Sequence, residues 1–382
     1  MPYFGAAEYV TRVAAVRAEM ERAGLDIVIG FESNDKLTGG NARYLVGVGE
    51  GPLPAPCYVV LGLSGPLCLV VMENRAETVG NHARSFSAPG VEVLAARGNW
   101  ASTLADALES VRASGLIVGV DGAPVDGPVL TQVRNAAPHL GFRQASKLID
   151  RARRNKTPAE LEACTTASSI AGRVYNHLKS IVEPGMPHQL AAAEASYLTA
   201  REGGEELVLA LGSGRPWVWS SAAPTRAPGI FEDGEPVSCE VNVRYKGYFS
   251  QVARSWPVGT VSPLRQRMID AVADAHEYMV AVVKPGAVPR EVFSEGLRAI
   301  KRHGFDYHGI RYGHGLGLTI GEGWDFADDE DSPTGTTRSP LSATAYAVCH
   351  PFLFERAGDG TVLFNALYGD PWIMSTDGAV RV

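Results

Sequence analysis

The chain has 382 residues, more than one average domain needs, and its 45% apolar and 20% charged fractions supply ordinary buried cores. A net charge of −7 and an isoelectric point near 5.8 argue against nucleic acid or an anionic membrane as the main partner. No run of about 20 apolar residues offers a membrane span, and the first residues lack the basic and apolar pattern of a secretory leader.

Residues 8–24 carry Val10, Val13, Val16, Met20 and Ala23 at helical spacing and end at Gly24, which predicts an amphipathic helix. Apolar runs at 26–30 and 44–47 follow, then two strands around Gly65-Pro66 that read as a hairpin. A helix over 101–112, a strand over 116–121 and a helix over 128–136 continue the alternation, which indicates a sheet covered by helices. The glycine-containing loops give no G-x-G-x-x-G after a strand, so a dinucleotide site is not supported.

The basic run RARRNK precedes Thr157-Pro158-Ala159-Glu160, a capping box with proline at the first helical position. It marks a domain junction, giving domains over 1–150 and 151–382. The helix it opens runs to about 181, a second covers 187–202, and a strand at 207–214 leads into an aromatic and serine-rich loop with Trp217 and Trp219. Farther on, Ser262 caps a long helix with Pro263 at its first position, and another helix spans 290–303. The tail holds RYGHGLGL at 311–318, an acidic insertion at 325–340, a strand over 345–354, and closing strands near 361–366 and 371–375. The insertion reads as a solvated loop, with a lid over the site as the sharper alternative. Five scattered cysteines without a C-x-x-C pair read as reduced core residues of a cytoplasmic protein.

The chemistry concentrates at Val237–Ser255. Val237, Cys239, Val241 and Val243 alternate with Ser238, Glu240, Asn242 and Arg244, and a second alternating run carries Gln251 beyond a turn at Lys246-Gly247. Glu240, Asn242 and Gln251 then line one side of a sheet, where burial without partners costs about 1–3 kcal/mol each. They must face a cavity, a ligand or one another. Two histidines stand out beside them. His314 lies between glycines, and His350 interrupts an apolar strand just before Pro351. A histidine beside a carboxylate is an acid–base pair for near-neutral pH.

These motifs, taken together and in order, resemble the creatinase/prolidase/aminopeptidase P family. Asn41 to Gly47 is similar to its N-x-x-Y-L-x-G element, Arg151 to Glu160 to the start of its catalytic domain, and GHGLGL to its GHG-x-G-L motif. The hairpin is similar to its D-x-G…GY-x-x-D-x-x-R motif, with Gly247, Tyr248 and Arg254 kept, and Leu341 to Pro351 has the spacing of its glutamate-bearing strand. The resemblance implies an α/β (α+β) fold, an N-terminal creatinase-type α/β domain followed by a C-terminal pita-bread domain. It also implies a homodimer in which the partner's N-terminal domain, through the loop around 50–54, reaches the active site.

The same resemblance implies two divalent metals held by two aspartates, a histidine and two glutamates. Here those positions carry Glu240, Gln251, His314 and His350, and the last falls at Asn365, Tyr368 or Asp370. One certain carboxylate does not balance four positive charges, which argues against a dinuclear metallopeptidase. The residues that creatinases use fall at Ser221, Ala253 and His350, so the chain is not a creatinase by residue content either.

The resulting expectation is a metal-independent, creatinase-like hydrolase or lyase without cofactor, acting on a C–N or related bond of a small polar or aromatic molecule. His314 or His350 is its acid–base group, Glu240 orients or stabilises charge, Gln251 binds substrate, and Trp217 and Trp219 stack on it. Asn242, Tyr248, Arg254, Arg311 and Glu322 are further candidate contacts. Two alternatives stand: a single iron or zinc ion on Glu240, His314 and His350, and a binding module without catalysis.

Overall fold

A computed structural model describes residues 3–32, 39–47, 57–86, 90–111, 117–124, 126–213, 218–220, 229–306, 311–332 and 335–382. The chain divides into two compact units, Met1–Arg153 and Arg154–Val382.

The first unit runs α1 (Ala6–Ala23), β1 (Ile27–Glu32), α2 (Asn41–Val46), β2 (Cys57–Gly62), β3 (Leu67–Met72), α3 (Glu73–Phe86), β4 (Val91–Ala96), α4 (Trp100–Val111), β5 (Ile117–Asp121), α5 (Pro128–Ala136), β6 (Gly141–Gln144) and α6 (Leu148–Arg153). Its mixed six-stranded sheet has the order β4-β3-β2-β1-β5-β6. Alternate residues of β1, β2 and β3 (Ile27, Ile29, Val60, Val70) pack with Leu104 and Leu108 of α4. The apolar run at 44–47 is not a strand but the end of α2. The Glu32 carboxylate accepts from Gly40 and Ala42 N–H at 2.7 and 2.8 Å, giving the exposed donors of that helix start a buried partner.

The second unit continues with α7 (Pro158–Ile181), α8 (His188–Arg201), β7 (Glu206–Ser213), β8 (Val218–Ser220), β9 (Val237–Tyr245), β10 (Tyr248–Trp256), α9 (Pro263–Ala281), α10 (Pro289–Arg302), β11 (Gly313–Leu316) and β12 (Ile320–Asp325). It closes with β13 (Tyr346–Cys349), β14 (Phe352–Arg356), β15 (Val362–Gly369), β16 (Pro371–Ser375) and β17 (Gly378–Arg381). Thr157 and Glu160 form the expected reciprocal cap on α7. Two sheets result, β14-β15-β10-β9-β7-β8 and β12-β11-β13-β16-β17. Val237, Cys239, Val241 and Val243 pack on Ile170, Val174 and Leu178 of α7 and Ala195 of α8. Helices α9 and α10 cover the second sheet through Met268, Val272, Met279 and Phe293 against Tyr312, Trp324, Ala347 and Trp372.

The stretch 345–354, read as one strand, is two strands in two sheets. The break falls at His350-Pro351: His350 N–H still donates to Tyr312 O at 2.8 Å, the last bond in register with β11, and proline then has no N–H to continue the ladder. The acidic insertion is less free than a solvated loop. Asp329 accepts from Arg338 Nε at 2.9 Å, and Asp328 pairs with Arg290 at the start of α10, also at 2.9 Å. The five cysteines are buried and unbridged. Among the described residues no helix is long and apolar enough to cross a membrane.

Candidate active site

The two residues Lys246 (φ 46°) and Gly247 (φ 83°) turn β9 directly into β10. Both lie in the left-handed region that a two-residue hairpin of matching twist requires. This turn fixes the register: Glu240 pairs with Ala253, and Asn242 with Gln251. Side chains at Ser238, Glu240, Asn242, Gln251, Ala253 and Ser255 therefore share one face. The opposite face is the one packed on α7.

Strand β15 extends the polar face, since Gly369 pairs with Ala253 and Tyr368 with Arg254. Alternation then sets Asn365 with the Glu240 side, and Ser238 Oγ and Ser255 Oγ both donate to Asn365 O. Of the three positions left open by spacing, Asn365 is the one on the polar face. Tyr368 lies on the other side, and Asp370 beyond the strand end pairs with Arg254 there.

The second sheet supplies the histidines. Gly313 and Gly315 flank His314 in β11, and a Cβ at Gly315 would stand 1.7 Å from Glu322 O, so only glycine permits that approach. His314 and His350 meet edge to face, with ring centroids 4.8 Å apart. His350 lies over β15: a Cβ added at Gly369 would be 2.6 Å from His350 Cβ. Since Gly369, Ala253 and Glu240 are successive cross-strand neighbours, the histidine pair and the hairpin carboxylate belong to one site.

The site is buried, with Glu240, Asn242, Gln251, His314, His350 and Asn365 all at most 4% exposed. Burial pushes the Glu240 carboxyl up to about 8, against the opposing pull of the Gln251 and Asn242 amides and the Arg311 charge. Burial and the Arg311 charge bring His314 down to about 3. Burial, with His314 and Arg311 nearby, holds His350 well below its ordinary value. His314 Nδ1 sits 3.0 Å from Gly315 O, and a carbonyl only accepts, so the proton is on Nδ1 and the lone pair on Nε2. Among the described residues Glu240 Oε2, Asn242 Oδ1, Gln251 Oε1, both Asn365 amide atoms and both His350 ring nitrogens have no hydrogen-bond partner. Each such atom costs about 1–3 kcal/mol, a concentration that fits a binding surface better than a core.

The remaining candidates divide. Arg311 pairs with buried Asp325 at 2.8 Å and acts on the site through its field. Glu322 is committed to a buried ion pair with Lys156 at 2.8 Å and accepts from Leu318 N–H, so it supports the loop after His314 and does not line the site. Tyr248 and Arg254 are on the opposite face from Glu240. The first donates to Glu160, and the second sits over the Tyr175 and Tyr368 rings at 5.1 and 4.6 Å. A cavity of about 310 Å³ beside Arg254, Tyr175 and Asp370 is likewise separated from Glu240 by the sheet. Trp217, Ser221 and the loop at 50–54 lie outside the described residues, and of Trp219 only the backbone is described, opposite Ala210 of β7. The buried ties Lys156–Glu322 and Tyr248–Glu160 escaped sequence reading; the signal for both was the charged cluster at the start of α7.

The sequence pattern of Metallopeptidase family M24 matches residues 162–362. The chain belongs to this family. It is 26% identical to ectoine hydrolase of Halomonas elongata over 201 residues, 49% of each chain. It is 23% identical to agropine synthesis cyclase of Rhizobium rhizogenes over 341 residues, 82% of this chain and 83% of that one. The chain spans about half the length of the ectoine hydrolase and of several other curated relatives. In fold it is similar to an Xaa-Pro dipeptidase from Bacillus anthracis, with a TM-score of 0.79 at 19% identity, covering 98% of this chain and 97% of that one. This agrees with an N-terminal α/β domain followed by a pita-bread domain.

Membership corrects the expectation of a protein without cofactor, because the family is one of metallopeptidases and implies two divalent ions. The donor set nevertheless does not fit such a centre. Glu240 is the single carboxylate, Gln251 and Asn365 are neutral amides, and His314 and His350 are imidazoles. Among the described residues no three His, Cys, Asp or Glu side chains converge to hold an ion, the set expected for a single iron or zinc included.

Proposed function

We propose that the chain is a creatinase-like hydrolase or lyase that cleaves or forms a C–N or related bond in a small polar molecule, and that it is not a dinuclear metallopeptidase. The observation that carries this reading is the buried polar face of Glu240, Gln251 and Asn365 with the His314–His350 pair seated beside it, and with several polar atoms left unpartnered. Relatives named as a hydrolase and a cyclase support chemistry on a small molecule.

The two kinds of acid–base group start in complementary states. At neutral pH the raised Glu240 carboxyl holds its proton, and both imidazoles are uncharged. In hydrolysis, an imidazole lone pair takes a proton from water as its oxygen attacks the carbon, and Glu240 gives its proton to the departing nitrogen. The amides of Gln251 and Asn365 orient the substrate by hydrogen bonds to the polar atoms on its reacting carbon. Return of the proton from imidazolium to Glu240 resets the site.

The buried, unbridged cysteines support a reducing, cytoplasmic setting. A homodimer whose partner covers the site remains part of the reading on family pattern alone. The test follows amine release from a panel of small amides, ureas and cyclic amidines, with wild type, His314→Ala and His350→Ala. Turnover left intact in both variants refutes the assignment.

A further inference from the structure

We propose that this site recognises a neutral, planar ureido or carboxamide group and discriminates against the guanidinium of the same shape. The inference rests on reading the site as one for a small molecule, and it names the class of that molecule.

The unpartnered atoms have a definite polarity. Asn242 Nδ2 donates to Val208 O at 3.0 Å, and a carbonyl only accepts, so the orientation of this amide is settled. Its Oδ1 is therefore an acceptor without a donor among the described residues, as is Gln251 Oε1. A ligand must bring N–H groups to them. Asn365 offers a different pair, one amide N–H group and one oxygen, both unpartnered. His350, uncharged, offers one N–H and one lone pair. A ligand must bring an acceptor to these donors as well.

A ureido group has both, N–H groups on two sides and a carbonyl oxygen on the third. A guanidinium has donors on all three sides and no acceptor, so the Asn365 and His350 donors stay unpaired against it. It also carries a positive charge into a buried site with one carboxylate. A carboxylate ligand fails in the opposite sense, since it sets acceptors against acceptors. Sites built on buried hydrogen bonds reject an analogue that lacks the matching atom strongly, because the protein group is then stranded.

The test is calorimetric binding of a matched pair, N-carbamoylglycine and guanidinoacetate, which share a carboxymethyl arm and differ in one oxygen and one charge. The ureido compound should bind at least about tenfold more tightly to the wild-type protein. Asn365→Asp, which exchanges a donor for an anion, should move the preference toward guanidinoacetate by about tenfold. Gln251→Glu tests the same shift at a second position should the first variant melt early. Equal or tighter binding of guanidinoacetate to wild type, binding of neither compound, or an unchanged preference in both folded variants overturns the proposal. The measurement needs no turnover. Ureido binding without any reaction therefore sinks the acid–base reading alone, and turnover of guanidino compounds in preference to ureido ones sinks this inference alone.

Discussion

The imidazoles of His314 and His350 meet edge to face, 4.8 Å between centroids, although one belongs to β11 and the other stands between two strands of different sheets. Neither ring is charged at neutral pH, since a proton on one would be buried beside the other and within the field of Arg311.

That arrangement makes removal of either ring costly for reaction and cheap for folding. His350→Ala and His314→Ala should each lower kcat by about 10²–10⁴-fold. His350→Ala should leave the melting temperature nearly unchanged or higher, because both its ring nitrogens are unpartnered and buried. Steady-state kinetics beside thermal melts separates the two effects. A large drop in melting temperature with normal kcat would mean the ring is structural.

Glu240 gives the fold a pH dependence with a defined sign. Its carboxyl is raised from 4.5 to about 8 in the folded chain, so the folded state binds more protons than the unfolded one between those values. Its contribution is complete below about pH 4.5 and is lost as pH rises through about 8. The lowered histidines act the other way, weakening the fold as pH falls below about 6.5. Between pH 6.5 and 8 the carboxyl dominates. Urea denaturation over that window should show falling stability in wild type and, in Glu240→Gln, a gentle rise as the unfolded-state histidines lose their protons.

Lys156 and Glu322 form an ion pair with both side chains 1% exposed. Lys156→Met leaves a buried carboxylate without its cation and should cost about 3–5 kcal/mol. Adding Glu322→Gln to that variant should restore most of the loss, read by denaturant midpoint. Additive losses in the double variant would show that the two groups do not act as a pair.

Gly369→Ala is expected to act on the site through backbone packing. The new Cβ would stand 2.5 Å from Cys349 O and 2.6 Å from His350 Cβ. Overpacking of this kind costs about 1–3 kcal/mol. The displaced imidazole should lower kcat more than the stability change alone can explain. Unaltered kinetics in a folded variant would separate His350 from the hairpin.

Much of this architecture was legible because strand alternation is strict. The polar and apolar positions of β9 follow directly from Val237 to Arg244. The two-residue turn even dictates that Arg254 pairs with Cys239, on the helix-packed face, so its absence from the site could have been derived from parity. Other features depend on distant partners. The start of α2 is held by Glu32, eight to ten residues upstream, and no local pattern at 44–47 announces that. Asn365 became distinguishable from Tyr368 and Asp370 only once the pairing of β15 with β10 was known.

The passage of the chain from one sheet to the other at His350-Pro351 has a mechanical consequence. Cys349 is hydrogen-bonded into one layer and Phe352 into the next, so the imidazole rides on the seam, while Glu240 and Gln251 are fixed to one layer alone. A molecule gripped by both acts as a rivet through two plates. Its binding should stiffen the whole sandwich, slowing amide hydrogen exchange in β13 and β14 together, well beyond the atoms it touches.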